Sequence, residues 1–284
     1  MWQHQKTARL SDVIQRSFIL SYKEDVGLLE STLKDEKLQP TVIRASYSDE
    51  ELTYSRVTRC LMNHYNAWKL AAKEQGYSLI CESDFVPCKK IGELPTFWPL
   101  ENPLAWAYLY LGSPRLMAII GDENYLRCHS ATAVAYVINS EVAQILIRFF
   151  NETTSQHPMT SYWPWDTHMQ WVAMGYGAEQ YMCRRSYGEH GGLPNPEHQS
   201  YGIFSNAGKH RADVLMRNLS FMPDYANGNR FIFVKERFVY WLKGWLRLFS
   251  GRWISSVPEY PLTSSKIIKM YWVGLARLFI VPNL

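Results

Sequence analysis

The apolar positions of this chain fall into short unbroken runs separated by stretches of helical spacing. Ser17-Phe-Ile-Leu-Ser21 is one such run and predicts a buried strand. Val26, Leu29 and Leu33 recur at helical spacing within 26–37, and Pro40-Thr-Val-Ile-Arg44 predicts a second strand. A β-α-β opening of this kind indicates a parallel sheet. Val57, Cys60, Leu61, His64, Trp68 and Ala71 line one face of a long helix expected over 55–74. Tyr77 to Cys81 predicts a strand that ends in Glu82-Ser83-Asp84 and then Pro87. Further strands are expected over 104–111 and 131–138, followed by a helix from Ser140 to Phe150 with Ser140 as its N-cap.

Between 151 and 230 the texture changes. Pro, Gly, His, Asn and Trp crowd 157–166 and 186–209, which predicts long loops around short helices, a common place for function. Amphipathic spacing then returns. Phe231, Val234, Phe238, Trp241, Leu242, Trp245 and Leu248 share one face of a helix over 231–249, with Lys243 and Arg247 opposite. A second helix over 266–281 sets Ile268, Trp272, Leu275 and Phe279 against Lys266, Lys269 and Arg277.

Composition adds little to this picture, whereas charge adds more. The 284 residues, 47% hydrophobic and 20% charged, suit one large α/β domain with appendages or two small domains. The 11 Trp and 18 Tyr suit a core, carbohydrate stacking or a membrane interface equally. The net charge is +4, but residues 231–284 hold eight basic and two acidic side chains, so the remainder sums to −2. That distribution argues against nucleic acid as a partner and for an anionic membrane surface meeting the tail. Five cysteines, none in a CxxC pair, argue against a disulfide framework or a structural zinc site. Met1 to Leu10 is polar and lacks the apolar run of a signal peptide, so the sequons at Asn151 and Asn218 carry little weight. No apolar run reaches the length of about 18 residues that a spanning helix needs. The expected location is therefore the cytoplasm, peripheral on the cytoplasmic face of the membrane.

Glu82-Ser83-Asp84 is the sharpest local signal. It follows a strand without alternation, as a central parallel strand would be, and ligands of open α/β sheets bind beyond the carboxyl ends of strands. Two carboxylates at this spacing can converge on Mg²⁺ or Mn²⁺ bridging a diphosphate. They can equally be a solvated loop pair.

A wider pattern surrounds them. Arg59-Cys-Leu-Met-Asn-His-Tyr-Asn-Ala-Trp68 resembles the helix "G-C-x-x-S-H-x-x-x-W" of glycosyltransferase family 25, the lipopolysaccharide and lipooligosaccharide glycosyltransferases. Tyr77 to Pro87 is similar to that family's "hydrophobic strand, E-D-D, V-x-P". Trp106 to Gly112, His129 to Ala143, and Trp165-Asp166 through Gly175-Tyr176 to Ser186–Gly192 follow its later motifs in order. The resemblance spans roughly residues 17–192. It departs from the family in two places: Ser83 stands where the family has a middle Asp, and Leu20-Ser21-Tyr22-Lys23 replaces an arginine-rich turn.

The resemblance implies a GT-A-like (Rossmann-like) α/β fold, a mostly parallel sheet flanked by helices. The catalytic domain would cover residues 1–210 and a C-terminal amphipathic helical extension 211–284. It implies metal-dependent, inverting transfer of a hexose from a nucleoside-diphosphate sugar, UDP-galactose favoured, to a glycan or lipid-linked glycan in cell-surface polysaccharide or lipopolysaccharide assembly. Asp84 is then a metal ligand, Glu82 a second ligand or a ribose contact, and His190 a third ligand or a diphosphate contact. Ser21, Tyr22, His64, Glu82 and Ser83 would face the donor nucleotide. Asp166 is the leading general base, with Glu189 as the alternative, and Trp163 and Trp165 would stack on the acceptor sugar. Each residue has a plainer reading. His64 on its apolar face suits a core histidine, Asp166 suits a helix N-cap, and the glycine-flanked His190 suits a flexible surface loop. A non-catalytic carbohydrate-binding or interaction protein on the same scaffold is the alternative function. A nucleotidyltransferase is disfavoured, because residues 21–27 offer one Gly and one Lys where that chemistry wants a glycine-rich basic loop.

Overall fold

Strands that are apolar along their whole length need cover on both faces, and the chain supplies it. The computed structural model describes residues 8–121, 125–130, 132–193, 211–257 and 263–279. The strands are β1 (Ile14–Ser21), β2 (Pro40–Arg44), β3 (Tyr77–Glu82), β4 (Phe85–Pro87), β5 (Ala105–Tyr108), β6 (Arg115–Ile120), β7 (Tyr125–His129), β8 (Ala135–Ile138), β9 (Glu179–Met182) and β10 (Gly188–His190). The helices are α1 (Leu10–Val13), α2 (Gly27–Asp35), α3 (Asp49–Leu52), α4 (Arg56–Ala71), α5 (Ser140–Thr154), α6 (Trp165–Gly175), α7 (Arg230–Phe249) and α8 (Ser264–Leu278).

Eight strands form one sheet in the order β2-β1-β3-β8-β5-β9-β7-β6, and β4 pairs separately with β10. The expected parallel opening is present: β1 pairs parallel with both β2 and β3. Beyond β3 the sheet is mixed. β8 runs antiparallel to β3 and β5, and β7 antiparallel to β9 and β6, so six of the eight strands point one way. Alternate residues of each strand feed two cores. Phe18, Leu20, Ile80, Tyr136 and Trp106 face one, while Ile19, Leu79, Cys81, Val137 and Ala105 face the other.

The helix before β3 and the strands around it lie close to their expected bounds. The run at 104–111 shortens to β5, and 131–138 shortens to β8, with residue 131 outside the described residues. Ser140 is the first helical residue rather than the cap. Asn139 caps α5, its side chain accepting from the Val142 amide. Strands β6, β7 and β9 fall in stretches that were not expected to be strands. The loop-rich reading of 186–209 falls partly on residues 194–210, outside the described residues.

The C-terminal helices share the sheet's core: Leu248, Trp253, Met270 and Leu278 join the first of the two clusters. The Leu116 amide donates to Trp253 O and the Ser255 amide to Leu116 O, both at 2.8 Å, which covers the open edge of β6.

Candidate functional site

The carboxyl ends of β1 and β3 build the site. Their register pairs Leu20 with Glu82, so the turn at Ser21–Tyr22 and the turn at Glu82–Asp84 leave the sheet side by side. The chain moves from β1 to β2 on one side and then crosses to β3 on the other, the reversal of strand order at which open α/β sheets leave a crevice. A cleft of about 440 Å³ lies there, lined by Ser21, Tyr22, Tyr47, Arg59, Glu82 and Ser83 among others.

The small antiparallel β4–β10 sheet completes the site by bringing distant residues together. Its register sets His190 opposite Phe85, next to Asp84. His190 Nε2 lies 2.8 Å from Asp84 Oδ2. The Gly191 amide donates to Asp84 O at 2.7 Å. Arg211 braces the same segment, donating to His190 O at 2.7 Å and Gly192 O at 2.8 Å. The glycines after His190 permit a close approach within the protein itself. A Cβ on Gly192 would run into Asp84 Oδ2, so it is Asp84, not a ligand, that the bare backbone admits. The flexible-loop reading of His190 is likewise overturned, because Gly188–His190 is a strand.

Glu82, Asp84 and His190 each offer a ligand atom, and these atoms all lie within 4.8 Å of one another. Asp84 Oδ1 and His190 Nδ1 are buried without a hydrogen-bond partner. Burial opposes charge on both, but their mutual attraction wins: Asp84 is held below the ordinary carboxylate value and His190 above the ordinary imidazole value. Two carboxylates, one imidazole and orphaned donor atoms fit a divalent ion. The imidazole favours Mn²⁺ over Mg²⁺, which prefers oxygen alone.

Behind Glu82 stands a hydrogen-bonded column. Trp68 Nε1 donates to Tyr136 Oη at 2.7 Å, Tyr136 Oη lies 2.8 Å from His64 Nδ1, and His64 Nε2 lies 3.2 Å from Glu82 Oε1. An ionised Glu82 can only accept, so Nε2 carries the proton and Nδ1 accepts from the phenol. His64 is thus a core histidine and a support for Glu82 together. Cys60, His64 and Glu82 also cluster, at metal-ligating distances. Both His64 nitrogens are taken, however. Burial, then the charges of Glu82, Asp84 and Asp166, push the Cys60 thiol well up and keep it protonated, so this trio does not suit an ion.

Asp166 is half-buried in the first turn of α6, where the negative charge meets the helix N-terminus. It is not the N-cap, a position held by Pro164; its Oδ1 accepts from the Thr167 amide at 2.8 Å. Burial outweighs that bond, and with the Glu82 charge nearby lifts Asp166 to about 6.

Other expected residues lie elsewhere or point elsewhere. Glu189 alternates with His190 along β10 and faces the opposite way, into the protein. It is fully buried, and its oxygens are held by Arg237 at 2.6 Å and Tyr225 at 2.5 Å, which leaves no open side for a substrate. Trp163 and Trp165 are core residues, not an acceptor platform. Trp163 stacks on His157 at 4.7 Å, and Trp165 packs 5.1 Å from His64. At the β1 turn, Ser21 Oγ accepts from Arg44 at 2.8 Å. The Glu24 carboxylate folds back to take the amides of Tyr22 at 2.6 Å and Lys23 at 3.1 Å. Burial raises Glu24 and these amides lower it; the amides prevail, and it sits below its ordinary value.

The cleft also contains residues that were not singled out from the sequence: Tyr47, Arg56, Arg59 and Asn63. A signal for three of them existed. Arg56, Arg59 and Asn63 recur at helical spacing along the first two turns of α4, a polar stripe beside its apolar face.

No protein-family profile and no curated protein matches the chain. Among solved structures it is similar to a glycosyltransferase involved in the glycosylation of the major capsid of PBCV-1. Identity is 10%, the match covers 59% of this chain and 80% of that one, and the TM-score is 0.37, a likeness too slight to bear on chemistry.

Proposed function

We propose that the protein is a glycosyltransferase that moves a hexose, galactose favoured, from a nucleoside-diphosphate sugar to a glycan hydroxyl. The acceptor class that fits the sequence resemblance is a growing cell-surface polysaccharide or lipopolysaccharide. The observation that carries the reading is the convergence of Glu82, Asp84 and His190 beside an open cleft at the ends of β1 and β3. Arginines line that cleft for a diphosphate, and the Tyr22 and Tyr47 rings, 5.1 Å apart, offer apolar faces to a base.

In this reading Glu82, Asp84 and His190 would hold Mn²⁺ or Mg²⁺. A divalent ion bound there supplies the positive charge that a departing nucleoside diphosphate requires. Arg56 and Arg59 receive the phosphates, and Ser83 edges the same cleft. Asp166, ionised above about pH 6, takes the proton from the acceptor hydroxyl. The acceptor oxygen bonds to the anomeric carbon as the bond from that carbon to the phosphate oxygen breaks, with inversion. Glu189 has no part in the chemistry, since its charge is spent on Arg237.

A second reading, a non-catalytic carbohydrate-binding protein on the same scaffold, draws on one observation. Asp84 and His190 already satisfy each other as an ion pair. The test is release of nucleoside diphosphate from a panel of sugar nucleotides, with and without Mn²⁺. Turnover that needs the ion, and falls by a factor on the order of 10²–10⁴ in Asp166→Asn, is expected. Sugar nucleotides that fail to bind, together with indifference to Mn²⁺, would transfer the case to the second reading.

A further inference from the structure

The two C-terminal helices turn three arginines inward and a set of large apolar side chains outward. From α7, Arg237 reaches inward to Glu189 Oε2 at 2.6 Å and Ala212 O at 2.7 Å. From α8, Arg277 forks onto both oxygens of Asp213 at 2.6 and 2.8 Å, and Arg247 of α7 lies 3.6 Å from the same carboxylate. On the outer faces Phe231 is 76% exposed, Leu246 68%, Phe249 75%, Trp272 65% and Phe279 74%. The Trp245 ring lies 5.7 Å from that of Phe249 and 5.8 Å from that of Phe279, so the stripes of the two helices merge. Single exposed apolar residues are ordinary on a protein surface; a continuous field of them across two helices is not.

We infer that this surface is a membrane-docking face, laid in the plane of a bilayer containing anionic lipid. Charge is what names the occupant. Residues 231–284 hold eight basic side chains, of which Arg237, Arg247 and Arg277 are engaged inside by Glu189 and Asp213. Lys235, Arg252, Lys266 and Lys269 are exposed and flank the apolar positions along the chain, and Glu236 is the single acidic residue among the described part of this segment. An anionic headgroup layer complements such basic side chains. A second copy of the chain would instead set like charges against each other. Length gives the mode of contact. α7 has 20 residues, and no helix among the described residues is long and apolar enough to cross a membrane, so the pair lies on the surface. The buried arginine bridges supply the rest. They fix the inward faces, so the helices cannot roll to hide the aromatic side, and the face is presented without rearrangement.

Flotation of the full chain with phosphatidylcholine vesicles, with and without phosphatidylglycerol, tests this without any reference to catalysis. The wild type is expected to float with the anionic vesicles and less so as salt rises. Phe249→Ser and Trp272→Ser, both at exposed positions and checked by an unchanged melting midpoint, should each lower partitioning by about tenfold. Lys266→Glu with Lys269→Glu should weaken binding to the anionic vesicles alone. No flotation of the wild type, or flotation indifferent to the aromatic substitutions, overturns the inference. So does a dimer, seen by light scattering, that Phe249→Ser dissolves, because that outcome assigns the face to a second copy.

Discussion

Asp84 and His190, remote in sequence, meet at 2.8 Å because one short two-stranded antiparallel sheet, β4 with β10, draws them together. The pair has no room to spare: Gly192 stands where any Cβ would strike the Asp84 carboxylate. Gly192→Ala should therefore displace Asp84 while leaving the sheet intact. The expected result is Mn²⁺ affinity weakened by about 10–100-fold, the range seen when residues that orient a ligand are lost. Titration calorimetry with Mn²⁺ reads this directly. Unchanged affinity would mean that Asp84 is not a ligand.

Asp166 yields a pH signature. Its folded value of about 6 lies above the ordinary 3.8, so the folded state binds more protons between these limits. Stability contributed by this group is full below about pH 4 and declines as pH rises toward 6. Asp166→Asn should flatten that decline in denaturation midpoints across the window. In the wild type, turnover should fall as pH drops below about 6, because a protonated Asp166 cannot accept the acceptor proton. A rate profile with no limb near pH 6 would remove Asp166 as the base.

Glu24 occupies the amides of Tyr22 and Lys23, a pair of donors that a phosphate would otherwise find free at this strand end. Glu24→Gln removes the resident negative charge. Nucleoside diphosphate should then bind more tightly, by about two- to fivefold, given the few tenths to 1 kcal/mol typical of exposed charge interactions. Weaker binding would show instead that Glu24 orders the turn for the ligand.

The column behind Glu82 can be cut at its centre. Tyr136→Phe leaves both Trp68 Nε1 and His64 Nδ1 without their partner in the core. A cost of about 1–3 kcal/mol is expected in chemical denaturation. Mn²⁺ binding should weaken alongside, since His64, which supports Glu82, loses its own anchor. Loss of stability with full Mn²⁺ affinity would separate the core role from the site role.

What the sequence by itself determined is local. The β-α-β opening, the helix from Arg56 and the strand ending at Glu82 are readable, because hydrophobic periodicity over a few turns or one strand reports directly on local conformation. The acidic pair at a strand end was readable for the same reason. Strand β9 was not: its partners β5 and β7 lie far away in the chain, and Glu179-Gln-Tyr-Met182 carries too little apolar pattern to declare itself, whereas β6 and β7, neighbours in sequence, pair with each other and the apolar run Leu116-Met-Ala-Ile-Ile120 was there to be read. Beyond the parallel opening, strand direction lay equally out of reach, since a run of apolar residues reads the same whether its neighbour runs parallel or antiparallel. Only the tertiary structure sorted Glu189 from its neighbour His190, turning one into a buried partner of Arg237 and the other toward Asp84. It alone moved Trp163 and Trp165 into the core and set Arg56 and Arg59 in the cleft. The reason is physical. Periodicity states which side chains share a face, and only the packing of elements against one another states what that face meets.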